Sequence, residues 1–250
     1  MKYLILLAGL LAVQPVYSAV AGNGENGPGK PNIVLIMADD MGYSDIGCYG
    51  GEINTPNIDK LAKEGVRFTR FYNNAWCSPS RASLITGLYP QQVGMTALAG
   101  PETGPPGPYQ GYLNDQCVTL AEVLKGAGYY TAMAGKWHLG HRDAFLPPQQ
   151  GFDESFGLPY SNDMWPFHPE AKPGTYPKLP LIENGRVIDS EITPDKMRNL
   201  TTWYTERAVS FIERNKSNPF LFYLAHSMPL VPLPGSAQFK GKSAAGLDGD

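Results

Sequence analysis

The chain has 250 residues, of which 42% are hydrophobic and 17% are charged, and its formal net charge at pH 7 is −3. This length accommodates one large domain or two small ones, and the hydrophobic content is ordinary for a globular protein. The small net charge excludes bulk electrostatic attraction to nucleic acid or to an anionic membrane. Glycine (28 residues) and proline (23 residues) are abundant, which predicts long ordered loops.

The first 21 residues have the pattern of a secretory signal peptide. Lys2 supplies the positive start, residues 3–13 the apolar segment, and Ala19-Val20-Ala21 a small-residue cleavage site. The apolar segment is short for a membrane span, although an uncleaved anchor is the alternative interpretation. We therefore expect residues 22–30 to form a flexible leader, and the mature protein to be exported to a periplasm, the outside or a vesicular lumen, without a membrane anchor.

A short apolar run at residues 32–38 predicts a strand that is buried on both faces. It ends in Asp39 and Asp40, two adjacent carboxylates that stay ionised together only if water or a cation compensates them. A solvated turn is the simpler interpretation of such a pair. After a buried strand, the oxygen ligands favour a hard divalent ion, calcium or magnesium.

The next two predicted elements lead to the most informative stretch of the chain. Thr55-Pro56 opens a helix that Gly65 ends, because threonine caps helices and proline is favoured at their first position. Alternating side chains at residues 66–72 then predict a second strand. Cys77 follows this predicted strand after a few residues.

The segment Cys77-Ser78-Pro79-Ser80-Arg81 predicts the start of another helix. Pro79 suits a first helical turn, and Gly87 suits the end of the helix. On this interpretation Cys77 lies just outside the helix N-terminus, where free N–H groups and the helix dipole favour an anion. Arg81 adds a fixed, forked positive charge. A buried apolar cysteine and a solvated arginine are the structural alternatives.

The remaining helices and strands continue the alternation after a proline- and glycine-rich loop at residues 94–113. A capping-box pattern at Thr119 opens a helix that ends at Gly126 or Gly128, and a strand follows at residues 129–134. Lys136 and His138 come directly after this strand.

A second irregular stretch covers residues 145–178, and the longest predicted helix follows at residues 193–215. A last strand at residues 220–225 ends at His226. Within the irregular stretch, polar groups lie beside an indole at residues 161–165, a combination that suits sugar binding. We take His141, Asp163 and Trp165 as candidates for substrate binding, with a structural loop role as the alternative.

Strands that alternate with capped helices predict an α/β fold, with a mostly parallel sheet sandwiched by helices. The carboxyl ends of parallel strands meet at one edge of a sheet, and open α/β sheets bind ligands there. The polar residues singled out above follow the predicted strands at that edge. The sequence therefore predicts one site that is assembled from several distant segments.

The segments quoted above resemble the motifs of one enzyme family. Cys-Ser-Pro-Ser-Arg with the following Ala-Ser-Leu-Ile-Thr-Gly is similar to the signature of the type I sulfatases of the alkaline phosphatase superfamily. Residues 31–40 and the segment Gly-Lys-Trp-His-Leu-Gly at 135–140 look like further landmarks of that family. The resemblance runs in order from Lys30 to the end of the chain, and it implies an alkaline phosphatase-like fold.

The resemblance implies a mechanism and specific roles. Cys77 would be oxidised to formylglycine by a maturation enzyme, and the hydrated aldehyde would be the nucleophile. Asp39 and Asp40 would bind one calcium ion together with that residue. Lys136 would bind the sulfate and His138 would hydrogen-bond the nucleophile. His226 would protonate the leaving oxygen, while Arg81 would help to neutralise the sulfate oxygens.

The same resemblance also shows where the pattern is incomplete. The family completes its calcium site with an aspartate, an asparagine and a further lysine from a later segment, for which this sequence has no match. We therefore expect residues 31–250 to be the N-terminal part of a catalytic domain, inactive by itself. The other two cysteines, Cys48 and Cys117, are a disulfide pair or two buried thiols.

The expected function is hydrolysis of a sulfate ester of a small molecule or polysaccharide, either a sulfated carbohydrate or an aryl sulfate. One alternative is a phosphonate or phosphate monoester hydrolase of the same superfamily. The other is a binding homologue that keeps the fold without the chemistry.

Overall fold

The computed structural model describes residues 29–99, 111–232, 240–244 and 246. The predicted signal peptide, nearly all of the leader and much of the loop predicted at 94–113 lie outside these residues. Pro31–Asp250 forms one compact unit. No helix among the described residues is both long enough and apolar enough to cross a membrane.

The centre of the fold is a six-stranded sheet in the order β1-β6-β2-β3-β4-β5. Its strands are β1 (Ile33–Met37), β2 (Tyr130–Lys136), β3 (Glu154–Leu158), β4 (Leu181–Glu183), β5 (Arg186–Asp189) and β6 (Phe220–Ala225). The first four strands in this order are parallel, and β4 and β5 continue the sheet antiparallel. The predicted mostly parallel sheet is confirmed.

Helices cover both faces of the sheet, as predicted. The α-helices of the described residues are α1 (Pro56–Glu64), α2 (Cys77–Thr86), α3 (Leu120–Gly126), α4 (Pro194–Met197) and α5 (Leu200–Asn215), and α1 has no buried residue. On one face, α2 and α3 pack over alternate side chains of β1, β2 and β6. On the other face, α5 packs over the intervening side chains of β2, β3 and β6. The edge strand β1 lacks this second cover among the described residues, since Val34 and Ile36 are 45% and 58% exposed.

Several predicted boundaries agree with the structure to within two residues. Thr119 forms the predicted capping box, in which its hydroxyl accepts from the N–H of Glu122 while the Glu122 carboxylate accepts from the N–H of Thr119. Gly87 ends α2 in the left-handed conformation, with a φ of 70°. These agreements come from local signals that do not depend on the rest of the fold.

The strand predicted at residues 66–72 is wrong. This stretch is irregular, and Val66, Phe68 and Tyr72 are 82%, 60% and 86% exposed. A strand needs a neighbouring strand for its hydrogen bonds, and none of the described residues pairs with this segment. Alternation alone therefore gave the wrong assignment.

Two further differences concern the second half of the chain. The helix predicted at residues 193–215 is divided into α4 and α5, with Arg198 and Asn199 between them. The irregular stretch predicted at 145–178 contains β3, and the β4–β5 hairpin after it was missed. Asn184 and Gly185 form the hairpin turn with φ values of 48° and 78°. Asn-Gly is the typical sequence of such a turn and could have revealed the hairpin.

Candidate active site

Polar side chains lie where the parallel strands end. Asp39 comes two residues after β1, Lys136 is the last residue of β2, and His226 directly follows β6. Ser161 comes three residues after β3. Gly135 lets β2 approach β6 closely there, because a Cβ at this position would lie 1.8 Å from the carbonyl oxygen of Ala225.

The carboxylate of Asp39 is the centre of a buried ion cluster formed by Asp39, Arg81 and Lys136. Its Oδ2 accepts a 2.5 Å hydrogen bond from Nζ of Lys136, and its Oδ1 lies 3.2 Å from Nη2 of Arg81. Both cationic side chains are fully buried, and Asp39 is only 3% exposed. Buried charges of this kind are tolerated when they pair. The buried ion cluster thus fixes three charged groups at the carboxyl edge of the sheet.

Arg81 also connects α2 to the ends of two strands. Its Nη1 donates to the main-chain carbonyl of Lys136 at 2.6 Å, and its Nη2 donates to that of His226 at 3.4 Å. The guanidinium can make these bonds together with the ion pair because it carries five N–H groups in a fixed fork. Most of its donors are therefore committed to the protein, which is the geometry of a positioning residue.

Cys77 is the first residue of α2, with Trp76 as the N-cap. The helix therefore begins at Cys77 itself, one residue earlier than the sequence predicted. The first turn of a helix has N–H groups without intrahelical partners, so it favours negative charge beside Cys77. Burial raises the pKa of the thiol, which Lys136 only partly offsets. An unmodified Cys77 is accordingly a poor thiolate nucleophile at neutral pH.

Asp39, Asp40 and Cys77 form a candidate metal site. Each offers one ligand atom, and these atoms all lie within 4.8 Å of one another. Burial raises the pKa of Asp40, and the neighbouring Asp39 raises it further, so negative charge accumulates here. Carboxylate oxygens fit calcium or magnesium, whereas a thiol does not. An oxygen-bearing formylglycine at position 77 would make the donor set suitable for a hard cation.

His138 is fully buried at the same edge of the sheet, where its main-chain N–H donates to the carbonyl of Pro159 at 3.2 Å. Burial lowers the pKa of its imidazole well below the ordinary value, and the positive charges of Lys136 and Arg81 lower it further. The imidazole is therefore neutral at neutral pH. A neutral imidazole offers one hydrogen-bond donor and one acceptor to a group bound in the site.

Burial of His138 predicts a stability change with pH. Below about pH 6.5 the unfolded chain protonates this histidine while the folded protein does not, so stability falls as the pH falls. We expect a slope of up to about 1.4 kcal/mol per pH unit from this residue, continuing down to the folded-state pKa. Urea unfolding between pH 5 and 7.5, in the presence of a chelator, should give a shallower slope for His138→Gln than for wild type. Parallel slopes would contradict the prediction, and His168→Gln is the control.

The imidazole of His226 lies on the side of the sheet that α5 covers, the side to which alternation along β2 also directs Lys136. Its ring centroid is 6.3 Å from that of Tyr204 on α5, and its pKa is lowered by burial alone, with no contribution from a charged residue. The main chain of His226 does reach the site, since its N–H donates to Met37 and its carbonyl accepts from Arg81. The structure thus connects His226 to the buried ion cluster through its backbone, and the expected role of its imidazole as leaving-group acid stays a prediction.

The three candidates for substrate binding have different positions. Trp165 is 4% exposed and donates its indole N–H to the carbonyl of Ile192 at 2.6 Å, so it is a core residue without an open ring face for a sugar. His141 is half-buried, with its ring edge-on to Tyr160 at 6.1 Å. Asp163 is close enough for its charge to raise the pKa of Asp40.

The structure brings three further residues to the site, of which the sequence indicated two only as part of the polar segment 161–165 and the third not at all. Ser161 accepts a 2.7 Å hydrogen bond from Nζ of Lys136. Asn162 is fully buried, and its amide has no hydrogen-bond partner among the described residues. Tyr223 lies on β6 close enough to Arg81 for the guanidinium to lower its pKa, which burial raises. The first two follow β3, the strand that the sequence did not reveal.

Comparisons with known proteins match the chain to sulfatases. A family model described as Sulfatase matches residues 31–248. The chain is 40% identical to rat arylsulfatase G over 92% of its own length and 47% of the relative, and 38% identical to pig N-acetylgalactosamine-6-sulfatase over 93% and 46%. It thus spans about half the length of these curated relatives.

A solved structure has the same architecture. The PsFucS1 sulfatase from Pseudoalteromonas sp. is similar with a TM-score of 0.73 and 29% sequence identity, over 88% of this chain and 48% of that one. The alkaline phosphatase-like fold expected from the sequence is therefore confirmed.

Proposed function

The chain belongs to the sulfatase family, and from this premise we propose that the protein hydrolyses sulfate esters through a formylglycine made from Cys77. The observation that carries the proposal is the convergence of Asp39, Asp40 and Cys77 to within 4.8 Å, directly beside the buried cations of Arg81 and Lys136. Such a site combines a nucleophile position, a candidate cation site and fixed positive charge.

Lys136 is the side chain best placed to bind the sulfate group. Its ammonium has three donors, of which one goes to Asp39 and one to Ser161. The third remains for a sulfate oxygen. Because these two hydrogen bonds fix the ammonium before substrate binds, its charge needs little reorganisation during the reaction. Arg81 adds positive charge to the buried ion cluster. Its hydrogen bonds to the main chain of Lys136 and His226 fix the positions of the two strand ends.

Two groups complete the proposed chemistry. A hydrated formylglycine at position 77 would supply one hydroxyl that attacks sulfur as the bond from sulfur to the departing alcohol breaks. Deprotonation of its second hydroxyl would then break the bond to the sulfate group, so that sulfate leaves and the aldehyde forms again. A divalent cation, proposed to be calcium and held by Asp39 and Asp40, supplies charge that neutralises the sulfate oxygens. The neutral imidazole of His138 can orient a hydroxyl at position 77 by a hydrogen bond.

We propose a sulfated carbohydrate or an aryl sulfate as the substrate. The names of the two curated relatives point to these classes, one an arylsulfatase and the other a sulfatase of N-acetylgalactosamine 6-sulfate. The proposal includes export, from the pattern of the first 21 residues, and a maturation enzyme that oxidises Cys77.

Mass spectrometry and paired assays test this function. The Cys77 peptide of protein from a host with the maturation enzyme should show the mass of formylglycine, and the full-length protein should turn over an aryl sulfate faster than a matched phosphonate monoester. Faster phosphonate turnover would favour the hydrolase alternative. An intact thiol together with no turnover would favour a binding protein.

Replacing His226 tests the placement of its ring. Because alanine keeps the carbonyl that accepts from Arg81, the change in kcat with His226→Ala reports the imidazole alone, and loss of a leaving-group acid should cost about 10²–10⁴-fold. Lys136→Ala removes a charge-assisted contact to the reacting group and should cost about 10²–10³-fold. The measurement is steady-state kinetics on an aryl sulfate. A loss of less than about tenfold with His226→Ala would show that its imidazole is not the acid.

A further inference from the structure

Asp163 lies in a tight turn that follows β3 and is anchored to the site. The N–H of Met164 donates to the carbonyl of Ser161 at 3.2 Å, and the N–H of Trp165 donates to that of Asp163 at 2.9 Å. The hydroxyl of Ser161 accepts from Nζ of Lys136 at 2.7 Å. The turn is thus held against the buried ion cluster, which fixes the position of Asp163.

The carboxylate of Asp163 is not compensated within the described part of the chain. Its Oδ1 is buried and has no hydrogen-bond partner there, and none of the ion pairs between described residues includes Asp163. The turn nevertheless holds Asp163 two residues after Ser161, whose hydroxyl contacts Nζ of Lys136. A buried carboxylate oxygen without a hydrogen-bond partner lowers the stability of the folded protein. We therefore expect this carboxylate to have a function in the site.

The charged groups at this edge of the sheet, counted together with Asp163 in the turn after β3, sum to a small net charge. With all three ionised, Asp39, Asp40 and Asp163 outnumber the two cations, Arg81 and Lys136, so the described cluster carries one net negative charge. A divalent cation at the candidate metal site would change this to one net positive charge. A sulfate monoester carries one negative charge and would neutralise the site.

We infer that Asp163 is a specificity-determining residue, whose charge makes the site favour monoanionic sulfate esters over dianionic phosphate esters. This inference rests on the proposed function and names its substrate charge class. A phosphate monoester loses its second proton near pH 6, so above that pH it would leave the site with an excess negative charge. Without the charge of Asp163, the positive charge of the site would neutralise both negative charges of the phosphate ester.

Binding of two esters with the same organic group tests the inference. In the Cys77→Ala background with calcium, calorimetry gives the Kd of phenyl phosphate relative to phenyl sulfate at pH 5 and pH 8. Phenyl sulfate keeps one charge throughout and corrects for titration of the protein. With Asp163 present, we expect the ratio to rise about tenfold between the two pH values, which is the effect of one unit charge about 12 Å away at an effective dielectric constant near 20. With Asp163→Asn, we expect a rise of less than about threefold.

Two controls separate this inference from its rivals. Glu170→Gln removes an exposed charge from the same region and should leave the tenfold rise unchanged. Calcium affinity is measured for each variant, because a loss with Asp163→Asn as large as with Asp40→Asn would make Asp163 a metal ligand and overturn the inference. An unchanged ratio with Asp163→Asn would also overturn it. If wild-type protein fails to turn over any sulfate ester, the proposed function fails instead.

Discussion

Cys77→Ala and Cys77→Ser are each expected to reduce sulfate-ester turnover by about 10⁴-fold or more, to the background of the assay. Alanine removes the nucleophile. Serine keeps a hydroxyl at the N-terminus of α2, but in a host that converts only cysteine it does not become an aldehyde and has no second hydroxyl to release sulfate. The measurement is kcat on an aryl sulfate, with burst kinetics for Cys77→Ser, where a covalent sulfate ester should accumulate.

The matched control for this prediction is Cys117→Ser. Cys117 is also a half-buried free cysteine, but its thiol contacts Asn114 and it is not part of the candidate metal site. We expect this variant to keep wild-type turnover. Multiple turnovers by Cys77→Ser at a rate within tenfold of wild type would rule out the aldehyde mechanism, because serine lacks the hydrate.

Local signals in the sequence were sufficient for the elements that carry the site. Thr119 has its capping partner three residues away, and Gly87 is the residue type that ends a helix in the left-handed conformation. The apolar run before Asp39 and Asp40 indicated a strand, but the prediction that both faces are buried is wrong, because β1 lies at the edge of the sheet with Val34 and Ile36 exposed. Because such signals fix each strand end, the sequence could predict that these ends share one edge.

Pairing and side-chain direction depend on distant residues and were harder to predict. Whether Val66 to Tyr72 forms a strand depends on a pairing partner, which no local pattern reveals. The direction of His226 was predictable in principle: alternate side chains of β6, including Tyr223 and Ala225, face α2, so the next residue faces α5. The hydrogen bonds of Arg81 to two strand carbonyls could not be predicted, since they require the final packing of α2 on the sheet.

The buried ion cluster explains why neighbouring aspartates at the end of β1 should behave differently. Both oxygens of Asp39 are paired with buried cations, whereas Asp40 is exposed and has the left-handed backbone conformation, with a φ of 59°. The charge of Asp40 is opposed by Asp39 and by its partial burial, as the direction of its pKa shift shows. One aspartate therefore stabilises the fold, while the other is held ready for a ligand at some cost.

Asp39→Asn is accordingly expected to lower the free energy of unfolding by about 3–5 kcal/mol in metal-free buffer, because Arg81 and Lys136 remain buried without their counter-charge. Asp40→Asn makes the same chemical change one residue away and is the matched control. It should be neutral or slightly stabilising there, because it removes a repelled carboxylate and asparagine tolerates the left-handed conformation. Chemical denaturation with a chelator measures both variants.

In the presence of calcium, the free energies of unfolding of wild type and Asp40→Asn should then differ. Calcium is expected to stabilise wild type and to have little effect on either variant, because each has lost one of two ligating carboxylates. Equal destabilisation by both substitutions in metal-free buffer would show that Asp39 does not compensate the buried cations. Calcium stabilisation of Asp40→Asn as large as that of wild type would remove Asp40 from the metal site. One experiment thus distinguishes the role of Asp39 in stabilising the fold from the role of Asp40 in binding the cation.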